Sequence, residues 1–154
     1  MSLFDCIQSL DRESLATELE KCAAARNRLA DTLPVLLEFR TGEDSKSGFT
    51  NPDDLFRAAE LILGCNTSAE YNVSEGCPSL SVRGLMTIAP YTDEEGVLRS
   101  AFRRMVKIRQ ELENRYSGCL WSCLSMGMSN DFEIAIEEGS TMVRIGTAIF
   151  GEGF

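Results

Sequence analysis

Short apolar runs alternate along the chain with longer segments in which apolar residues recur with a helical period. The runs have the length of strands and are rich in Leu, Ile, Val and Phe. The predicted strands comprise residues 3–10, 34–40, 80–90, 120–127 and 141–151. Their alternation with helical segments favours βα units and a mostly parallel sheet. Within the third strand lies Gly84, and a glycine inside a strand often marks a close approach of two backbones.

Turn and capping residues mark the limits of the helices. Asp11 is available as the N-cap of the first helix. Asn51 and Pro52 predict the start of the second helix, and Gly64 can close it. The third and fourth helices are predicted at about residues 92–116 and within residues 129–139, both with acidic residues at the front.

Length and charge restrict the class of protein. The chain has 154 residues, 44% of them hydrophobic, which predicts one domain over residues 1–154. Its net charge of −9 disfavours nucleic acid and anionic membrane surfaces as partners. No apolar run is as long as a membrane span, and the N-terminus does not resemble a signal peptide. We therefore expect a cytoplasmic protein without a membrane partner.

The residue types exclude several kinds of catalysis. The chain has no histidine, which removes His-based acid–base chemistry and Ser-His triads. Its six cysteines form no CxxC pair, and scattered core thiols are the simpler interpretation. The sequence therefore predicts no metal site and no catalytic residue of these classes.

Small and hydroxyl-bearing residues follow the last two predicted strands. Ser129 is expected to begin the short fourth helix, while Gly146 and Thr147 could offer unobstructed backbone N–H groups. Each feature alone is commonly an ordinary cap or turn. Arg144 stands in the apolar fifth strand, where an unpaired guanidinium would be costly. Because the carboxyl ends of parallel strands often bind ligands, these residues together predict a site for an anionic or heterocyclic ligand.

Three motifs carry a resemblance to a known family. The stretches "LSMGMSNDFEIAIEEGSTMVRIGTAIFG", "RGLMTIAP" and "EDSKSGF" are similar to those of the pyridoxal phosphate homeostasis protein family, which is related to the barrel domain of bacterial and fungal alanine racemases. The similarity extends over almost the whole chain. It implies a parallel α/β barrel of the TIM type, present here only as strands 4–8 with their helices, and pyridoxal 5'-phosphate (PLP) as the cofactor.

The resemblance also implies roles for individual residues. Ser129, Gly146 and Thr147 correspond to phosphate-binding positions, Met128 lies close by, and Arg144 corresponds to the arginine that faces the pyridine nitrogen. An arginine is always a donor, so it stabilises an unprotonated nitrogen and makes the ring a weaker electron sink. That suits either racemase-like chemistry, which needs two positioned acid–base groups, or a non-catalytic, carrier-like role in PLP homeostasis, and the family is regarded as having the second role.

The family's lysine-bearing first strand has no counterpart in this sequence, and neither do its second and third strands. Two explanations stay open, namely a missing N-terminal part and a half-barrel that assembles with something else. In either case we expect PLP binding to be weak or absent in this chain and racemase activity to be absent. Lys46 lies on the ligand-bearing edge, where a role in loop ordering or at the surface is expected.

Two alternatives stay open. One is a racemase-like PLP enzyme, and the other is a ligand-free fragment that needs a partner segment to complete the barrel. Five strands cannot close a barrel of eight, so the exposed sheet edges predict a homo-oligomer or pairing with the missing segment.

Overall fold

The computed structural model describes residues 4–25, 32–42, 47–64 and 77–151. Its described part contains one five-stranded sheet in which every pairing is parallel and the strand order is β1-β2-β3-β4-β5. The strands are β1 Ile7–Leu10, β2 Leu33–Glu38, β3 Leu80–Met86, β4 Cys123–Met128 and β5 Met142–Arg144. The predicted parallel sheet is confirmed.

Five helices connect or follow these strands. They are α1 Glu13–Ala24, α2 Pro52–Leu63, α3 Glu95–Arg115, α4 Phe132–Glu137 and α5 Thr147–Phe150. Within the described residues, no helix is both long enough and apolar enough to cross a bilayer.

Local signals predicted α2 correctly. The Asn51 side chain accepts a hydrogen bond from the Asp53 N–H at 3.0 Å, Pro52 is the first helical residue, and Gly64 ends the helix in the left-handed conformation with φ 69°. The predicted cap of α1 was wrong. Arg12, in extended conformation, occupies the N-cap position, and no side chain caps the helix. Asp11 instead pairs with the Arg12 guanidinium, with 2.6 Å between Oδ1 and Nη1.

The helices pack on one face of the sheet, and that interface contains the core. Val35 and Leu37 of β2, with Leu124 and Met126 of β4, belong to this apolar cluster. Because side chains alternate along a strand, the residues between them face the other way. That second face carries Glu38 and Ser125, both buried, and the partly buried Gln8 and Arg144. We call it the inner face.

The sheet curls towards its inner face. Gln8 of β1 contacts Met142 of β5, with 3.2 Å between Nε2 and Sδ, although the two strands are at opposite edges of the sheet. Twisted strands that curl in this way give an incomplete barrel, as the sequence predicts.

The fifth strand is shorter than predicted. Extended pairing ends at Arg144, and Thr147 begins the short helix α5, in which the Ile149 and Phe150 N–H groups both donate to the Gly146 carbonyl oxygen. The apolar residues of this run are not buried, since Ile149 is 67% and Phe150 is 69% exposed. A run of apolar residues was therefore mistaken for a continuous buried strand.

An ion-pair network joins α3 to α4. The Glu138 carboxylate accepts from Arg99 Nη1 at 2.9 Å and from Arg103 Nε at 2.7 Å, while Arg99 also pairs with Glu137 and with Glu95. These hydrogen bonds, from Arg103 first and then from Arg99, hold the pKa of Glu138 below its ordinary value. The network thus fixes α4, the helix that follows the end of β4.

The lowered pKa predicts an acid-sensitive contribution to stability. The carboxylate of Glu138 stabilises the fold above its unfolded pKa of about 4.3, and this stabilisation is lost as the pH falls through the lower folded value. We expect Glu138→Gln to lower the melting temperature at pH 7, and the gap from the wild type to close on acidification. Thermal melts from pH 7 to about pH 3 would measure it, with Glu133→Gln, an exposed carboxylate on the same helix, as the control. A gap that stays constant with pH would contradict the assignment.

Candidate functional site

A cleft opens where β3, β4 and β5 end. Its volume is about 380 Å³, and its wall combines polar residues with apolar ones. The polar side includes Ser129, Gly146 and Thr147, and the apolar side includes Ile88, Tyr91 and Met128. Four of the five residues singled out in the sequence therefore line one cleft. It is larger than a phosphate group alone requires.

The Ser129 hydroxyl lies against the first turn of α5. Its Oγ accepts from the Gly146 N–H at 3.3 Å and from the Ala148 N–H at 3.2 Å. The expectation that Ser129 begins α4 was wrong, because that helix begins at Phe132 and Asp131 occupies its N-cap position. Ser129 instead joins the loop after β4 to the loop after β5. The backbone N–H groups that donate to Ser129 belong to the loop after β5 and to the first turn of α5, not to α4.

The loop after β4 is closed by Asp131. Its Oδ1 accepts from the Met128 N–H at 2.5 Å, while the Asp131 N–H donates to the Met128 carbonyl oxygen at 3.1 Å. This reciprocal pair fixes the backbone from Met128 to Asp131 and leaves the Met128 side chain 43% exposed at the cleft. A carboxylate at this position also adds negative charge to one side of the cleft.

Arg144 is held by backbone carbonyl oxygens and a hydroxyl. Nη1 donates to the Ser125 carbonyl oxygen at 3.0 Å and to Ser125 Oγ at 2.8 Å, and Nη2 donates to the Thr87 carbonyl oxygen at 2.8 Å. The guanidinium thus spans from the end of β3 to the middle of β4 from its place on β5. It does not line the cleft itself, but the next residues of its own chain, Gly146 and Thr147, do.

Burial and two carboxylates set the electrostatics of Arg144. Burial lowers the pKa of the guanidinium, and the negative charges of Asp131 and Glu38 act in the opposite direction. Arginine nevertheless stays charged at neutral pH. Glu38 is 2% exposed on the inner face, where its Oε1 accepts from Ser47 Oγ at 2.6 Å. The inner face therefore places one fixed cation within electrostatic range of two acids.

Three residues of this network were missed in the sequence. Ser125 and Thr87 accept hydrogen bonds from Arg144, and Gln8 accepts one from Ser125. The available signal for Ser125 was its position between Leu124 and Met126, because a polar residue alternating with apolar ones marks the second face of a strand. No local pattern distinguishes Thr87 or Gln8.

The lysines do not meet in the cleft as far as the structure describes them. Lys21 and Lys107 are exposed on α1 and α3, as the helical pattern predicts. Lys46 lies outside the described residues. Among the described residues, no group of three or more His, Cys, Asp and Glu side chains is placed to hold a metal ion.

Comparison with known families assigns the chain. The residue pattern of the family described as alanine racemase, N-terminal domain, matches residues 5–153. The chain belongs to the alanine racemase N-terminal domain family. Membership in this family confirms the predicted relation to the barrel domain of alanine racemases.

Two relatives of this family member carry the same name. The pyridoxal phosphate homeostasis protein of Aquifex aeolicus (strain VF5) is 42% identical over 146 residues, which cover 95% of this chain and 57% of the relative. The protein of that name from Vibrio cholerae serotype O1 is 40% identical over 150 residues, covering 97% of this chain and 56% of the relative. The predicted resemblance is confirmed. The chain spans a little over half the length of these relatives.

Solved structures show the same fold. PipY from Synechococcus elongatus PCC7942, with PLP bound, superposes with a TM-score of 0.74 at 28% identity, covering 96% of this chain and 61% of PipY. Alanine racemase from Bacillus anthracis, at 19% identity and a TM-score of 0.57, shares the fold alone. The described strands therefore form an incomplete barrel of the alanine racemase type.

Proposed function

We propose that this chain binds pyridoxal 5'-phosphate in the cleft at the ends of β4 and β5 and serves intracellular PLP homeostasis without catalysis of its own. The observation that carries the proposal is the convergence of the loops after β4 and β5 on one cleft, next to a fixed guanidinium. The names of the relatives and the PLP bound to PipY support it. Because the chain spans only part of its relatives, the role of the whole protein belongs to the proposal.

The polar side of the cleft fits a phosphate group. A Cβ added at Gly146 would meet nothing within 4 Å, so the space above this backbone is open. The N–H groups of Gly146, Thr147 and Ala148 lie in the first turn of α5, where N–H groups have no acceptor within the helix. Phosphate oxygens would accept from the Thr147 N–H and from the Ser129 hydroxyl, and would replace Ser129 Oγ as the acceptor of the Gly146 and Ala148 N–H groups. This geometry supports the proposal that the three predicted residues bind one phosphate group.

Arg144 lies on the inner face and does not line the cleft, so the ring of the ligand would extend from the cleft towards the inner face to meet it. Its contacts with Ser125 and Thr87 fix the guanidinium, which carries more N–H groups than these contacts use. When bound, PLP supplies an aromatic ring that withdraws electrons from groups attached to it. A donor that cannot give up its proton keeps the ring nitrogen unprotonated and weakens this effect. Such a contact suits racemase-like chemistry as well as storage of the cofactor, and the names of the relatives support storage.

The remaining parts of the proposal concern the chain as a whole. We propose a single domain over residues 1–154 and a cytoplasmic location. On the net charge of −9, we also propose that nucleic acid is not a partner. β1 and β5 are the edge strands of the described sheet. Their unpaired backbone groups favour association with a second copy of the chain or with a segment that completes the barrel. Light scattering coupled to size-exclusion chromatography would report the mass of the assembly.

A calorimetric titration with three ligands would test the proposed function. Pyridoxine 5'-phosphate is the main ligand, because it keeps the ring nitrogen and the phosphate but has no aldehyde to react with surface lysines. Pyridoxine lacks the phosphate, and inorganic phosphate lacks the ring. We expect saturable binding of the first, and weaker binding of the other two, since both ends of the cleft contribute. Absence of saturable binding of pyridoxine 5'-phosphate at millimolar concentration would contradict the proposal.

Substitutions at the phosphate end should weaken this binding without unfolding the chain. Gly146→Ala places a methyl group in the open space above the backbone, and we expect a loss of affinity of about tenfold or more, on the order of 1.4 kcal/mol. Ser129→Ala removes one neutral hydrogen-bonding group, for which we expect a loss of about threefold to tenfold. Both losses would appear in the same titration.

Matched substitutions far from the cleft serve as controls for these two variants. They are Gly118→Ala, where an added Cβ also meets nothing within 4 Å, and Ser117→Ala, at the neighbouring exposed position between α3 and β4. Each should bind pyridoxine 5'-phosphate as the wild type does. Wild-type affinity in both Gly146→Ala and Ser129→Ala would remove these residues from the site.

A further inference from the structure

A side chain of the first strand reaches the last two strands across the inner face. Gln8 Oε1 accepts from Ser125 Oγ at 2.8 Å, and Gln8 Nε2 lies 3.2 Å from the sulfur of Met142. Ser125 and Arg144 are themselves joined at 2.8 Å. Residues from β1, β4 and β5, separated by more than a hundred positions in the chain, thus form one continuous hydrogen-bonded row.

The direction of each hydrogen bond in the row is fixed by Arg144. An arginine can only donate, so Ser125 Oγ must accept from it. The hydroxyl proton of Ser125 is then free to donate, and the acceptor in reach is Gln8 Oε1. This orients the amide, whose NH₂ group is left to face the thioether of Met142. With the amide oriented as the structure has it, the row runs from the guanidinium through the Ser125 hydroxyl to the glutamine.

We propose that Gln8 is a positioning residue for Arg144. By accepting the Ser125 proton, it holds the Ser125 oxygen towards the guanidinium and so keeps Arg144 in the orientation in which it meets a heterocyclic nitrogen. The claim that Gln8 affects binding of the pyridine ring rests on the proposed function, because it takes Arg144 to bind the ring nitrogen of PLP. The claim that Gln8 orients Arg144 concerns the ligand-free chain and does not depend on the proposed function.

Removal of the acceptor should release the guanidinium. In Gln8→Leu, the Ser125 hydroxyl has lost its partner and can turn its proton towards a backbone carbonyl oxygen, which competes with Arg144. Gln8→Glu keeps a side-chain oxygen of the same reach and should retain the row. We therefore expect a loss in the first variant and rescue in the second. Gln110→Leu makes the same chemical change at an exposed position on α3 and serves as the control.

The competing explanation is that Gln8 only ties β1 to β5. A loss of stability would not distinguish the two roles, so the readout must come from Arg144 itself. Hydrogen-bonded guanidinium N–H groups exchange slowly with water and give separate NMR signals, and the Arg144 signals can be assigned by their absence in Arg144→Lys. A tie between strands, without positioning, would leave these signals unchanged once the protein is folded.

The test is an NMR spectrum of the ¹⁵N-arginine-labelled chain without ligand, followed by calorimetric titration of each variant. We expect the Arg144 signals to broaden and exchange faster in Gln8→Leu, and to persist in Gln8→Glu and Gln110→Leu. We expect the affinity for pyridoxine 5'-phosphate to fall about fivefold to twentyfold in Gln8→Leu, with the affinity for inorganic phosphate unchanged.

Each result has a separate meaning. Unchanged Arg144 signals in Gln8→Leu would overturn the positioning role whether or not the chain binds PLP. A wild-type chain that binds no pyridoxine 5'-phosphate would contradict the proposed function and, with it, the assignment of Gln8 to the ring end. An equal loss of affinity for pyridoxine 5'-phosphate and for inorganic phosphate would also overturn that assignment.

Discussion

Gly84→Ala is expected to lower the free energy of unfolding by about 3–5 kcal/mol, a large part of the stability of a domain of this size. A Cβ at this position would lie 1.8 Å from the Cys123 carbonyl oxygen and 2.6 Å from its carbon. Gly84 and Cys123 are register partners on β3 and β4, and the φ of Gly84 is +153°. The methyl group therefore forces apart β3 and β4, the strands on which the Arg144 partners Thr87 and Ser125 depend for their positions. Urea denaturation followed by circular dichroism would measure the change.

Gly96→Ala provides the comparison for this variant. Gly96 lies in the first turn of α3, an added Cβ meets nothing within 4 Å, and alanine has the higher helix propensity. We expect this substitution to leave the free energy of unfolding unchanged or to raise it by about 0.5 kcal/mol. If the two alanine variants were equally stable, the distance between β3 and β4 at Gly84 would have to be larger than the one in the structure.

Arg144→Met is expected to weaken binding of pyridoxine 5'-phosphate by about tenfold to a hundredfold, as the loss of a charge-assisted hydrogen bond implies. Methionine keeps the reach of the side chain but donates no hydrogen bond. Inorganic phosphate should bind with little change, because the predicted phosphate end is formed by Ser129, Gly146 and Thr147. Calorimetric titration of both ligands would separate the two ends of the site.

Replacement of a different arginine by methionine tests whether the loss of one positive charge is enough to lower the affinity for pyridoxine 5'-phosphate. Arg83→Met changes an exposed residue of β3 and should leave the affinity for pyridoxine 5'-phosphate as it is. Arg144→Lys keeps the charge but cannot span the Ser125 and Thr87 carbonyl oxygens as the planar guanidinium does. We expect it to behave as Arg144→Met does. Wild-type affinity in Arg144→Met would contradict a role at the ring nitrogen.

Local chemistry made much of the fold predictable. The limits of α2 follow from Asn51, Pro52 and Gly64, each of which acts within a few residues of its own position. The parallel sheet follows from strand-length apolar runs between helical segments. The error at α5 has the same origin, because Ile149 and Phe150 resemble a buried strand to any local pattern although both are exposed.

The candidate site was predictable only in part. Ser129, Gly146 and Thr147 share a cleft because parallel strands bring their carboxyl ends together, and this the strand order predicts. The hydrogen-bond partners of Arg144 could not be predicted from the sequence, because they depend on the register of β3, β4 and β5. A shift of one residue would move Ser125 to the helix-facing side of the sheet. The contact with Gln8 further depends on how strongly the sheet curls, which no local pattern contains.

The central claim is that a phosphorylated pyridine binds between the loops after β4 and β5. Its most direct test is a ¹H–¹⁵N spectrum of the chain titrated with pyridoxine 5'-phosphate. We predict saturable shifts that are largest for the backbone amides of Met128, Ser129, Gly146, Thr147 and Ala148. Shifts centred on another part of the described chain, or no saturable shift at these amides, would contradict the account.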